Sequence, residues 1–337
     1  MTSLSNNKQK ITENKLFIEN YKILQISPEN ENNLEYNYHT VDIVANKLNN
    51  ISKKNFTLAC NIDRSGSMSF KENDNFTTLQ YTIHTIKSII YYLSDVKSEE
   101  KNIKDLNIDI IINAFDNLNS KIGRIKIGEN TSDFIKKLDN IFPRGSTNIS
   151  DAFKIIKEDD YYKNIDNSNK AHILFTDGVP NLGKLKANEI LEENPGGKQI
   201  LIGYGKNHGS SLLDNIAKIS NGSYYYVDNI ENAGMVYGEI IHNLLYECVK
   251  DININVKGCE IYDFKTNKWI NTLKFNSLSS EQFQTVLMRS SWKSVKPIEI
   301  TILYKESNNN ILHSKIERFN LYNCTDIKSN KLHRDLT

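Results

Sequence analysis

Asp63, Ser65 and Ser67 occupy alternate positions in the run Asp63-Arg64-Ser65-Gly66-Ser67, directly after the apolar stretch FTLACNI. In a turn leading from a strand into a helix, that alternation aims all three oxygen-bearing side chains at one point. Two later segments carry matching groups: Gly145-Ser146-Thr147-Asn148 ahead of a helix-period stretch, and Thr176-Asp177-Gly178 at the end of AHILFTD. A donor set of hydroxyls, carboxylates and water, with no Cys or His, suits a hard divalent cation, and octahedral Mg²⁺ characteristically keeps several waters. The candidate metal residues are Asp63, Ser65, Ser67, Thr147 and Asp177, with Mg²⁺ as the expected ion and Mn²⁺ sharing its preferences. D-x-S-x-S alone is an ordinary turn and helix-capping pattern. The three segments in order, each at a strand or helix end, are what point to a metal.

The elements that must position these loops alternate short apolar runs with helix-period segments, a pattern that specifies a doubly wound, mostly parallel sheet covered on both faces. FTLACNI, NIDIIINAF, KIGRIKI, AHILFTD, KQILIGY and SYYYVD read as strands, with KIGRIKI a possible antiparallel edge. TLQYTIHTIKSIIYYL, SDFIKKLDNI, ISDAFKIIKED, LKANEILEE, SSLLDNIAKIS and NAGMVYGEIIHNLLYECV read as helices. From Asp251 the texture changes to alternating strands without helices, which predicts a smaller antiparallel β-sandwich. The expected organisation is a disordered tail at 1–14, strands at 15–50 that join the C-terminal β domain, an α/β domain at 51–249, the sandwich at 250–325 and a tail at 326–337. Ligands of open α/β sheets lie at the C-terminal strand edge, where the three candidate loops converge.

In these motifs the chain resembles the von Willebrand factor type A domain family, whose metal-ion-dependent adhesion site uses D-x-S-x-S, a later Thr and a later Asp. The likeness extends to TDGVPNLG, to LIGYGKNHGSSLLDNIAKISNGSYYYV and to the closing helix, over about Phe56 to Val249. The resemblance implies that Ser65, Ser67 and Thr147 meet the metal directly, while Asp63 and Asp177 act through waters and hydrogen bonds. It further implies that an Asp or Glu carboxylate of a partner protein completes the coordination. Some family members change affinity by shifting the last helix, here near Asn232–Val249.

Competing signals are weaker. Gly178-Val179-Pro180-Asn181-Leu182-Gly183-Lys184 matches most of a phosphate-cradling loop, but Leu185 replaces the Ser/Thr and Pro180 removes a backbone N–H. Gly203-Tyr204-Gly205 opens a dinucleotide fingerprint whose third glycine is His208 instead. A hydrolase using Ser65 or Ser67 with His172 lacks the G-x-S-x-G elbow, and His172 sits in a predicted buried strand. Met68 is expected either to rim the binding face or to pack in the first turn, and Tyr224-Tyr225-Tyr226 reads as a strand.

Composition excludes little else. With 42 Lys+Arg against 41 Asp+Glu, no net field favours nucleic acid or an anionic membrane. MTSLSNNKQKITENK has no apolar core of a leader, and no apolar run approaches the ~18 residues that span a bilayer. A cytoplasmic protein is expected, with Cys60, Cys248, Cys259 and Cys324 reduced and mostly buried. The function these readings predict is a non-enzymatic, Mg²⁺-dependent protein-binding module acting as a scaffold or adaptor. The alternative is a substrate-recruiting subunit of an enzyme assembly, such as a ubiquitin-ligase or chaperone-like complex.

Overall fold

The computed structural model describes residues 16–24, 36–47, 55–73, 76–99, 106–129, 131–205, 209–227, 230–291, 297–307 and 311–319. The tails expected at 1–14 and 326–337, and Cys324, lie outside these residues.

Strands β1 (Leu16–Leu24) and β2 (Tyr36–Ala45) come first. There follow β3 (Asn55–Asp63), a 3-10 turn at Gly66–Ser69, a short hairpin of β4 (Lys71–Asn73) and β5 (Phe76–Thr77), and α1 (Thr78–Glu99). Next come β6 (Asn107–Phe115), β7 (Asn119–Lys126), α2 (Ser132–Asp139), α3 (Ile149–Lys157), β8 (Lys170–Thr176), α4 (Ala187–Ile190), β9 (Lys198–Tyr204), α5 (Ser210–Ser220), β10 (Ser223–Val227) and α6 (Ile230–Leu245). The chain continues through β11 (Glu247–Lys257), β12 (Glu260–Asp263), β13 (Lys268–Ile270), β14 (Thr272–Ser279), β15 (Phe283–Ser291), β16 (Ile298–Glu306) and β17 (Leu312–Phe319). It divides into two compact units, residues 50–241 and residues 1–49 with 242–337.

The α/β unit is built on a six-stranded sheet in the order β10-β9-β8-β3-β6-β7. Neighbours pair in parallel except β7, which runs antiparallel along the edge of β6. Every residue of β8 is buried, which is why it reads as an unbroken apolar run instead of an alternating one. Leu174 of β8 and Leu201 of β9 pack with Ile149 and Phe153 of α3, Ile190 of α4 and Ile216 of α5 in one buried cluster. Two expected helices are shorter than their sequence pattern. LKANEILEE forms only α4 and a 3-10 turn at Leu191–Glu193, because Pro195 drives Asn194 into an extended conformation (φ −56°, ψ 121°). The closing helix stops at Leu245, and Glu247, Cys248 and Val249 already belong to β11.

The β unit contains a five-stranded sheet, β1-β2-β15-β12-β13, and a four-stranded sheet, β14-β11-β16-β17. All of their pairings are antiparallel. Both sheets contribute to one core: Val41, Ile43 and Met288 from the first meet Ile252, Ile254, Ile300 and Ile302 from the second. DININVKGCEIYDF, which reads as one strand, is two. Gly258 takes a left-handed backbone (φ 79°) between β11 and β12, and the chain passes there from one sheet to the other. KWINTLKF likewise splits at Asn271 into β13 and β14 and returns. Cys248 and Cys259 lie in this unit and Cys60 in the α/β unit, all three free and buried, and burial pushes the Cys60 and Cys259 thiols up to about 12.

Candidate metal centre

Parallel registry places Asp63 beside Phe115 of β6 and, through Ile62 opposite Phe175, beside the end of β8. The loops that leave β3, β6 and β8 therefore begin at one edge of the sheet. Asp63 is fully buried at its start. Its Oδ1 accepts the Ser65 backbone N–H at 2.7 Å and its Oδ2 accepts the Thr176 hydroxyl at 2.5 Å. Asp63 thus shapes the turn and ties it to β8, while Thr176 Oγ1 in turn accepts the Gly178 N–H at 3.2 Å.

The hydroxyls gather outside this buried base. Ser65 Oγ lies 3.1 Å from Ser67 Oγ, and the Ser67 hydroxyl donates to Asp177 Oδ1 at 2.8 Å. An ideal Cβ built on Gly178 would stand 3.3 Å from Thr147 Oγ1 and 3.7 Å from Ser67 Oγ, so Thr147 and Ser67 border the same small space. All five sequence-selected residues converge. Met68, by contrast, is fully buried and packs beneath the turn.

These distances permit a test of fit. Adjacent oxygens on an octahedral ion with bonds of about 2.1 Å are about 3.0 Å apart, and the 3.1 Å between Ser65 Oγ and Ser67 Oγ matches such an edge. The donors are all hard oxygens, and among the described residues no cluster of three or more His, Cys, Asp or Glu side chains exists, so softer metals have no competing site there. Burial pushes the Asp63 carboxyl up to about 7, against the lowering effect of the Thr176 and Ser65 hydrogen bonds, and the Asp177 charge adds to the rise. No Lys, Arg or His pairs with Asp63 among the described residues. A cation held between the two aspartates would supply the missing positive charge. The residues fit a hard divalent ion.

Three supports escaped the sequence reading. The first is Asp116, just past β6. Its Oδ2 accepts Arg64 Nε at 2.9 Å and Arg144 Nε at 2.7 Å, and its Oδ1 accepts the Leu118 N–H at 2.6 Å. Burial alone would raise its carboxyl, but the Arg144 and Leu118 hydrogen bonds and the two guanidinium charges outweigh burial and hold it below the usual range. Arg64 lies inside the D-x-S-x-S turn and Arg144 in the loop leading to Thr147, so one carboxylate staples the two loops that carry Ser65, Ser67 and Thr147. The Arg144 N–H donating to the Arg64 carbonyl at 2.7 Å and the Gly66 N–H donating to the Gly145 carbonyl at 3.1 Å complete the join. Gly145 is obligatory in it: its φ is 70°, and a Cβ there would fall 2.2 Å from Asn117 Oδ1.

Thr176 is the second support and Asn181 the third. Asn181 Oδ1 accepts the Thr147 N–H at 3.0 Å, while the Asn181 and Leu182 N–H groups both donate to the Thr147 carbonyl, at 3.1 and 3.2 Å. The segment that resembles a phosphate loop is a clamp on Thr147. Its lysine, Lys184, is bound to Glu192 and Glu193 at 2.9 and 2.7 Å. Asn148 then caps α3 by accepting the Asp151 N–H at 3.2 Å. His172 is no partner of the serines. Its Nε2 accepts from Asn61 Nδ2 at 2.9 Å and its Nδ1 lies 2.8 Å from Gln199 Oε1, inside the core.

Comparison with known proteins bears on the fold and the family. No curated protein sequence matches the chain. Among solved structures, a von Willebrand factor type A protein from Catenulispora acidiphila superposes with a TM-score of 0.56 at 9% identity, covering 91% of this chain and 73% of that one. The likeness is one of fold. The ArnB paralog VWA2 from Sulfolobus acidocaldarius gives a TM-score of 0.42 at 12% identity, over 91% of this chain and 74% of the other. Proximal thread matrix protein 1 from the mussel byssus, with a zinc-occupied MIDAS motif, gives 0.45 at 20% identity, over 59% and 50%. The sequence model of the von Willebrand factor type A domain matches residues 58–239, which contain the whole oxygen-lined edge and more than half of the chain. With its motif, its sheet and its matched span in agreement, the chain belongs to the von Willebrand factor type A domain family.

Proposed function

We propose that this protein is a non-enzymatic, Mg²⁺-dependent protein-binding module in which the metal takes an Asp or Glu carboxylate from a partner protein. The observation that supports the reading is that the Ser65 and Ser67 hydroxyls stand one octahedral edge apart above a buried Asp63, with Asp177 hydrogen-bonded to Ser67 and Thr147 beside the same space at Gly178. Neutral hydroxyls hold the ion while the carboxylates stand behind them, so the bound ion keeps enough positive charge to attract a hard anionic oxygen. Domains of this family mediate protein–protein interaction, which supports the reading. A cytoplasmic scaffold or adaptor is the setting we infer, and recruitment of substrates to an enzyme assembly is the second form such a module takes. Mn²⁺ serves in place of Mg²⁺ in either.

The test is capture from native extract with Mg²⁺, with EDTA and with Asp63→Ala, read by mass spectrometry. Partners are expected only on the intact chain with Mg²⁺, and at least tenfold less with EDTA or the variant. Capture indifferent to both would refute the metal bridge. A second expectation concerns Gly178, which keeps the mouth of the site open. Gly178→Val puts a branched side chain against Thr147 Oγ1 and Ser67 Oγ. Mn²⁺ affinity, measured by calorimetry, should fall about tenfold, a change of roughly 1.4 kcal/mol, with no loss of thermal stability. Unchanged Mn²⁺ affinity would show that Thr147 does not face the ion.

A further inference from the structure

A groove of about 620 Å³ lies in the α/β unit between the start of α1 and the loop after α2. Phe76, Leu79 and Ile83 form one wall, and Ile141, Phe142 and Pro143 form the other. Two of these are unusual for surface positions: Phe76 is 52% exposed and Phe142 61% exposed. The ion pair of Lys87 and Asp139 lies along the same groove. Its size is that of a cavity taking a small ligand or one to two large side chains.

Each wall is continuous with a loop that carries a metal ligand. The α1 wall follows the turn holding Ser65 and Ser67, and the Thr78 N–H donates to the carbonyl of Phe70, itself 67% exposed, at 3.0 Å. The other wall runs on through Arg144 and Gly145 to Thr147, five residues beyond Phe142. Five residues reach at most about 18 Å, so an extended segment of about five residues spans from the metal to the groove. With a divalent ion offsetting Asp63 and Asp177, charge on the path favours an acidic occupant. Asp116 sets one negative charge against the two guanidinium groups of Arg64 and Arg144, and the Arg144 side chain is 45% exposed.

We propose that this groove is the specificity pocket of the metal site and takes a large apolar side chain within about five residues of the partner's metal-binding Asp or Glu, both on one extended segment. The inference rests on the metal-bridge reading above and adds to it the partner's second determinant. Burying one such side chain contributes about tenfold or more in affinity.

The experiment is selection from two displayed libraries of random twelve-residue peptides, one with a fixed central Glu and one with Gln, on the full chain in Mg²⁺. The same selection is made on the Phe76→Ser/Phe142→Ser double variant, whose substitutions are at exposed positions and whose melting midpoint should match that of the parent. On the parent chain, the Glu library should enrich Phe, Trp, Leu or Ile within five residues of the Glu. Individual peptides should lose at least tenfold in affinity when that residue becomes Ser. On the double variant the Glu should still be selected over Gln and the apolar preference should vanish. Apolar enrichment that persists on the double variant, or is missing from the parent while Glu is still selected, overturns the groove. Equal recovery of the Glu and Gln libraries overturns the metal bridge itself, and the groove proposal with it.

Discussion

Asp116→Ala should lower the stability of the α/β unit by about 3–5 kcal/mol, the range for removing one partner of a buried ion pair. Asp116 is 1% exposed at its side chain and Arg64 8% exposed. Without the carboxylate, the Arg64 guanidinium keeps only the Ser120 hydroxyl, at 2.8 Å, among the described residues. The free energy lost is that of an uncompensated buried charge, added to the loss of the Leu118 N–H acceptor. For a domain of this size the melting midpoint should fall by on the order of 10 °C. Arg144→Ala should cost far less, roughly 1 kcal/mol or under, because that side chain is 45% exposed and remains in contact with water. Thermal melts of the two variants decide the matter. Equal shifts would mean that Asp116 is held by solvent and not by Arg64. Mn²⁺ affinity should fall with Asp116→Ala as well, since both loops it joins bear hydroxyls that we propose hold the ion.

Acidification should destabilise the β unit well above the pH at which exposed carboxylates protonate; in the α/β unit His172 acts in the same direction, while Asp63, whose carboxyl is raised to about 7 by burial, opposes it. His172 in the α/β unit and His39 in the β unit are both fully buried, and burial lowers each imidazole from 6.5 to about 4. In the folded protein each ring is neutral, His172 between Asn61 and Gln199 and His39 at 2.8 Å from Ser290 Oγ. In the unfolded chain each binds a proton near pH 6.5, so between pH 6.5 and 4 the unfolded state holds more protons. Stability is then complete above pH 6.5 and falls with pH by up to about 1.4 kcal/mol per unit for each histidine, reaching roughly 3 kcal/mol apiece near pH 4. Urea unfolding at pH 7.5 and 4.5 measures the loss. His172→Gln should make the α/β unit alone less sensitive to acid, and His39→Gln the β unit alone. A slope unchanged in either variant would assign the acid sensitivity to carboxylates.

The residues around the proposed metal position are legible in the sequence because each is a small polar group just past an apolar run or just ahead of a helix-period one, and local spacing encodes such a position. Their supports are not. Thr176 reaches Asp63 across 113 positions and Asn181 reaches Thr147 across 34, and neither contact leaves a periodic trace. Asp116 stands among Asn and Ser residues in a chain rich in both, so nothing local separates a buried staple from a turn residue. The parallel strands are readable from buried β-branched runs, and the antiparallel edge of β7 from its alternation. The break at Asn271 is hidden because Trp269, Leu273 and Phe275 keep one alternation across it, whereas at Gly258 the buried positions shift from Ile252, Ile254 and Val256 to Cys259 and Ile261, a change of phase that the sequence carries. In-phase alternation specifies which face is buried and not which sheet a residue joins. The early stop of α4 is an exception that Pro195 could have signalled.

The five-stranded sheet also sets an order of assembly. His39 and its partner Ser290 are 251 positions apart, and β2 finds its neighbour β15 only after the whole α/β unit has been made. During synthesis the α/β unit can fold as soon as it emerges, while β1 and β2 wait as a two-stranded ribbon, a form with little stability of its own in water. If that unit stays unfolded, pairing β2 with β15 must close a loop of some 240 flexible residues, and such long-range closure slows folding. A compact insert replaces the loop with a fixed end-to-end distance. Slow-maturing variants of this protein should therefore map to the core of residues 50–241 even when the defect is seen in the β-sandwich.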